Sequence, residues 1–275
     1  MDFTQGNFPL FKAGLIPAFI FIAILVTIKV GWHYGSYLHK RSKGTRNATD
    51  ETLVSAILGL MALVVAFTFN GAAGRLDQRE HLILAEVNSI SSAITAVSYV
   101  NPDDQNGLRA TLRDYLDKRM VLYTDIFDKK ALAEKQQSVD AIFSTLNAQA
   151  LTAVQNVSPD KRALANDLVR KVNDLTSAYD NQRQAMWMHP PKIIWISLIA
   201  LVIIGSFLAG YKSGLSQRKE RFLTLLFALL MSFALYLLLS LEFPLLGHVN
   251  LDPFNNEFVR LRDSLPVTQH VINMR

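Results

Sequence analysis

The chain has 275 residues, half of them hydrophobic, and a formal net charge of +5. It contains no cysteine, which removes thiolate catalysis, iron–sulfur ligation, disulfides and cysteine-type zinc sites together. Nor is the positive charge a nucleic-acid footprint. Residues 75–185 hold 14 Lys and Arg against 15 Asp and Glu, so the surplus lies beside the apolar stretches, where it reads as topology.

Four apolar stretches occupy residues 13–32, 53–74, 193–211 and 222–241. Each is close to the roughly 20 residues that a helix needs to cross a bilayer. None alternates with period two, so barrel strands are not indicated. The expected fold is all-α: a helical integral membrane protein with four transmembrane helices and a helical extramembrane domain continuous with the second span. The expected divisions are 1–74 (spans 1 and 2 with a basic loop), 75–188 (the helical domain), 189–241 (spans 3 and 4 with a second basic loop) and 242–275 (a C-terminal tail).

The first stretch is read as a retained span and not a signal peptide. Gly31-Trp32-His33-Tyr34-Gly35 and a basic cluster follow it, where a cleaved segment would show small residues. The loop at 33–52 carries Lys40, Arg41, Lys43 and Arg46, and the loop at 212–221 carries Lys212, Arg218, Lys219 and Arg221. The positive-inside rule places both in the cytoplasm. The N-terminus, the 75–188 domain and the tail then lie on the opposite side of a bacterial inner or plasma membrane.

The second span is expected to start at an N-cap among Asn47, Thr49, Asp50 and Thr52. It then runs without proline to about Tyr99, through Leu76, Leu82 or Ile83, Val87, Ile90, Ile94 and Val97 at helical spacing. Asn101-Pro102-Asp103-Asp104 ends it. A helix at 107–130 should bury Leu108, Leu112, Tyr115, Leu116, Met120, Tyr123 and Phe127, and one at 132–157 should bury Ile142, Leu146 and Val154. Ser158-Pro159-Asp160 is expected to open a fourth polar helix, with proline at its first position and Leu164, Leu168, Val172, Leu175 and Tyr179 inward. His189-Pro190-Pro191-Lys192 breaks the chain before the third span.

Catalytic motifs are missing from the sequence. The six histidines form no close ligand pair, and there is no P-loop, dinucleotide fingerprint or nucleophile elbow. His81 and Glu86 stand five residues apart, a poor metal spacing, and His81 reads as a solvated side chain. An enzyme, a metal site and a cofactor are therefore not expected. The second span says more. Ser55, Gly59, Ala62, Ala66 and Ala73 form a small-residue stripe that suits close helix packing. A second stripe, taken as the opposite face, holds Leu60, Leu63, Phe67, Asn70 and Gly74. It could line a pore with an apolar constriction and an amide ring, and both readings stay open on spacing alone. Lys29 reads as a snorkelling cation at the membrane interface. Arg75 and Glu242, at the ends of spans, have the same default role.

Phe67-Thr68-Phe69-Asn70-Gly71-Ala72-Ala73-Gly74-Arg75-Leu76-Asp77-Gln78-Arg79-Glu80, with Glu86-Val87-Asn88-Ser89 beyond it, resembles the stretch that ends the second span in the bestrophin-like family of four-span proteins. Leu241-Glu242-Phe243-Pro244 through Gly247, Asp252-Pro253-Phe254 and Leu261-Arg262-Asp263-Ser264-Leu265 resemble that family's closing motif. Arg75 and Val87-Asn88 also keep a spacing found in true bestrophins. The resemblance implies a pentameric ion channel, mostly for anions, with the second span lining a hydrophobic neck. It makes Arg75 a pore-mouth cation that raises local anion concentration, and Glu242 and Asp252 possible ion or loop contacts. Three departures stand against it. Leu76-Asp77 replaces a tryptophan pair, the acidic calcium-clasp region is reduced to Glu242 and Asp252-Pro253, and the large helical region of bestrophins is cytosolic. The loop charges are preferred for sidedness. The leading expectation is a homo-oligomeric channel in the lipid bilayer for permeant ions; the alternative is a non-conducting sensor or scaffold whose helical domain binds a partner.

Overall fold

The structure is a computed structural model that describes residues 10–41, 48–123, 128–217, 221–243 and 252–265, with the backbone alone at 10–14, 48–51 and 252–255. Among these residues there is no strand. The helices are α1 (Leu10–Arg41), α2 (Ala48–Ala96, continued by a 3-10 turn Val97–Tyr99), α3 (Pro102–Val121), α4 (Lys129–Asn156), α5 (Arg162–Met186), α6 (Lys192–Leu215), α7 (Arg221–Glu242) and α8 (Asp252–Ser264). Four are long and apolar enough to cross a membrane: Leu15–Arg41, Thr52–Tyr99, Lys192–Leu215 and Arg221–Glu242. The chain is an all-helical membrane protein. At 49 residues, α2 extends over roughly 70 Å, more than twice a hydrocarbon core.

Two compact units share α2. The membrane unit holds α1, α2 as far as Leu76, α6 and α7. Lipid gives spans no hydrophobic reason to associate, so close backbone contact must supply the attraction. Glycines make that contact possible. Gly31 and Gly35 of α1 lie against the Phe207 and Tyr211 carbonyls of α6, and Gly210 and Gly214 of α6 lie against the Ile28 and Trp32 carbonyls of α1. Each pair is four residues apart, so one glycine seam on each helix meets the other. Ser36 Oγ adds a hydrogen bond to the Gly214 carbonyl. Ile24, Ile28, Val202 and Ala228 form the apolar centre, and Ser232 Oγ of α7 donates to the Pro17 carbonyl of α1 at 2.8 Å.

The second unit contains α2 from Asp77, α3, α4, α5 and α8. Ile83, Val87, Ile90 and Val97 of α2 pack with Leu112, Leu116, Leu146, Leu168 and Leu175 in one core. The rings of Tyr115, Phe143 and Tyr179 meet there, with centroids 5.0 to 6.3 Å apart. Helix α8 closes the unit. Phe258, Leu261 and Leu265 are buried, and Arg113 Nη1 donates to the Arg262 and Leu265 carbonyls at the end of α8.

Several expectations need correction. Asn101-Pro102 ends the α2 segment and also starts α3, with Pro102 in its first turn, five residues earlier than periodicity suggests. Pro159 does not begin α5. That helix starts at Arg162, with Lys161 in the cap position. Leu164 is exposed, and Ala165, one helical turn before Leu168, takes the inward position. The tail contains α8, whose short apolar pattern gave no expected helix. Asn47, Lys43, Arg46, Phe127, Arg218 and Lys219 lie outside the described residues, as do the side chains of Thr49, Asp50 and Asp252.

The glycine seam sets a sharp expectation. A methyl at Gly210 would overlap the Ile28 carbonyl, whereas one at Gly107 of α3 would meet only Gln149 Nε2, at an ordinary 3.8 Å. Gly210→Ala should cost about 1–3 kcal/mol through overpacking and lower the melting temperature of the detergent-solubilised protein. Gly107→Ala should not lower it, and equal melting of the two variants would refute the seam.

Candidate functional site

Within the membrane unit, α2 presents three distinct faces. Val54, Met61 and Ala72 are buried at 5%, 2% and 0% exposure. They form the face packed against the chain itself, where Met61 and Leu58 fill the space left by Gly205 of α6. Leu60, Leu63 and Phe67 are 52%, 51% and 68% exposed, and Asn70 and Gly74 are exposed on the same side. At about 100° per residue this stripe lies nearly opposite the packed face. Ser55, Gly59, Ala62 and Ala66 are exposed as well, and they lie roughly a quarter turn from the Leu60–Phe67 stripe. The two stripes are therefore neighbours and not opposite faces, as spacing had suggested. Ala73, the last residue of the small stripe, is half-buried.

At the end of the same stretch three charged or polar groups converge. Arg75 donates through Nε and Nη2 to both oxygens of Glu242, at 2.6 to 3.2 Å. His189 Nδ1 lies 3.0 Å from Glu242 Oε1, and its ring packs on Phe243 with centroids 4.8 Å apart. The Glu242 side chain is fully buried, while Arg75 is 27% exposed. A two-pronged guanidinium–carboxylate contact fixes orientation as well as charge. Arg75, expected at the pore mouth as a cation that raises local anion concentration, has a carboxylate partner on α7. Glu242, expected as an ion or loop contact, has both oxygens engaged by side chains of its own chain.

This convergence was missed in the sequence, although a signal existed. Helices α2 and α7 leave the membrane on the same side, α6 enters from that side, and their ends carry Arg75, Glu242 and His189. Opposite charges at one membrane depth tend to find each other because isolated charges there are costly.

A second charged cluster lies in the other unit. Glu86 is fully buried and accepts from Tyr115 Oη at 2.6 Å and from Arg119 Nε and Nη2 at 2.6 and 2.9 Å. The Arg119 guanidinium also stands 5.3 and 5.0 Å from the ring centres of Tyr123 and Phe258. Burial opposes its charge, but the Glu86 carboxylate outweighs burial and raises its pKa above the ordinary value. Burial, reinforced by Glu86, pushes the Tyr115 hydroxyl well above the usual phenol range. Arg119 therefore stays charged and Tyr115 neutral across ordinary pH, as members of a structural pin do. His81 is exposed on the other side of α2 from Glu86, so the two do not meet.

The cluster's energetics can be separated by mutation. Arg119→Met alone strands a buried carboxylate and should cost about 3–5 kcal/mol. Joint replacement of Glu86, Arg119 and Tyr115 by Leu, Met and Phe should cost less than that single change, as chemical unfolding would show. A larger loss in the joint variant would contradict the structural role.

The profile of the bestrophin-like domain matches residues 21–255. No curated protein sequence matches the chain. Among solved structures, it is similar to a point variant of a bacterial bestrophin homologue from Klebsiella pneumoniae, at 14% identity and a TM-score of 0.65, over 90% of this chain and 98% of that one. A second variant of that homologue gives 13% identity and a TM-score of 0.64 over 90% and 97%. A crystal structure described as a membrane protein gives 14% and 0.66 over 90% and 97%. At such identities the likeness is one of fold.

Proposed function

The chain belongs to the bestrophin-like family, and from that premise we propose that it is the subunit of a homo-oligomeric, anion-preferring ion channel. Leu60, Leu63, Phe67, Asn70 and Gly74 of α2 line its axial pore. The observation that carries this reading is the exposed stripe of α2 opposite its packed face. In a ring of subunits that stripe faces the axis. The flank bearing Ser55, Gly59, Ala62 and Ala66 then meets the next subunit, where small residues allow close approach. By family resemblance the ring is a pentamer.

Each element of the stripe has a distinct task in this reading. Phe67 and the leucines form an apolar constriction, and Asn70 supplies an amide that replaces part of an ion's hydration shell. The pairing of Arg75 with Glu242 makes that arginine chiefly an anchor for the end of the pore helix and a weaker source of anion attraction. The basic segments 33–52 and 212–221 face the cytoplasm and the 75–188 domain lies opposite, which the cations at the ends of α1 and α6 support. No catalytic chemistry enters the proposal.

The test is ion flux through the purified protein in liposomes, first under a chloride gradient and then under a sodium gradient. Chloride flux should exceed sodium flux, and Phe67→Ala should raise it by widening the constriction. An unchanged rate in Phe67→Ala would remove that residue from the pore. No flux from a folded oligomer under either gradient would favour the sensor or scaffold reading.

A further inference from the structure

The membrane unit contains a cavity of about 400 Å³ that no α2 residue lines. It sits among the C-terminal halves of α1 and α6 and the first turn of α7. Lys29 and Arg221 bring two cations to it, His33 an imidazole, and Ser213 and Thr224 two hydroxyls. Among the described residues no acidic side chain lines it. The His33 ring is oriented by a 2.8 Å contact between Nδ1 and the Lys29 carbonyl, which assigns Nδ1 as donor and leaves Nε2 as the ring's other polar atom. Leu25, Ile28 and Leu225 supply an apolar wall. Lys29, His33 and Arg221 are exposed, so the polar end opens to the surface.

We propose that this cavity binds a phosphate group, with the apolar wall holding the acyl or glycerol portion of an anionic lipid that carries it. The donor set fits this chemistry. Lys29 and Arg221 offer several charge-assisted N–H donors, and a tetrahedral oxyanion has several acceptor oxygens to engage both side chains at once. Arg221 opens α7, so the positive dipole end of that helix lies in the same region. Basic pockets between spans at this depth match lipid headgroups in height as well as charge. The cavity is separate from the proposed pore, so the inference stands or falls independently of conduction.

The experiment uses the full-length protein in detergent, with affinity measured by native mass spectrometry and thermal shift. The probes are phosphatidylglycerol, phosphatidylcholine with the same chains, and inorganic phosphate. Phosphatidylglycerol should bind preferentially. The double variant Lys29→Gln/Arg221→Gln should weaken it at least about tenfold, since each charge-assisted contact is worth that much. Lys40→Gln, a change of an exposed cation away from the cavity, should leave binding intact, as should the charge-preserving Lys29→Arg/Arg221→Lys, which also controls for folding. Variant-sensitive binding of phosphatidylglycerol alone identifies a lipid headgroup; the same sensitivity for inorganic phosphate extends the site to the free anion. Equal binding by wild type and the double glutamine variant, or equal affinity for phosphatidylcholine, would overturn the proposal.

Discussion

Helices α1 and α6 approach until a methyl on either glycine seam would meet the backbone of the other, and the membrane unit depends on that contact. Lipid is as apolar as leucine, so burying leucines yields little between spans. Close backbone approach gains dispersion along the whole seam instead. With α1 and α6 locked, α7 is held through the small apolar centre and the Ser232 hydrogen bond to Pro17. Helix α2 can then rest on the assembly along one narrow edge, Val54, Met61 and Ala72. Its Leu60–Phe67 stripe stays exposed, and the functional proposal grows from that exposure.

Charge is handled differently in the two units. In the membrane unit, Arg75, Glu242 and His189 gather where three helix ends share one depth, and the Arg75 guanidinium keeps contact with solvent. In the other unit, Glu86 and Arg119 are wholly enclosed, and Tyr115 Oη and two aromatic rings complete their environment. A buried pair of that kind is costly to create and costlier to break, so it specifies one packing arrangement more than it adds net stability. The first cluster anchors the end of the proposed pore helix, and the second pins α2 to α3.

Much of this architecture was legible in the sequence. The four spans, the unbroken α2 and the inward positions of α3 to α5 follow from hydropathy length and helical period. Those signals are local, and the structure agrees with them where side chains simply face a core. What the sequence hid depends on which helices become neighbours. Gly31, Gly35, Gly210 and Gly214 are ordinary glycines until α1 meets α6. Arg75 and Glu242 are 167 residues apart, and each alone looks like an interfacial charge. The small stripe of α2 was visible, but its angle to the Leu60–Phe67 stripe matters only once the packed face is known. Pro159 misled because proline suits both a turn and a first helical turn, and here the turn wins. The Lys29–Arg221 cavity was hidden for the same reason as the charge cluster: its walls come from three separated segments.

The central claim, that the exposed face of α2 borders an aqueous path, can be tested directly because the chain contains no cysteine. Single cysteines would be placed at Asn70 on that face and at Phe19, an exposed position on α1. Liposome flux would then be recorded before and after a charged, membrane-impermeant thiol reagent. The account predicts that modification at Asn70→Cys changes flux while Phe19→Cys is unaffected. Unaltered flux in an Asn70→Cys protein shown by mass to be modified would contradict it.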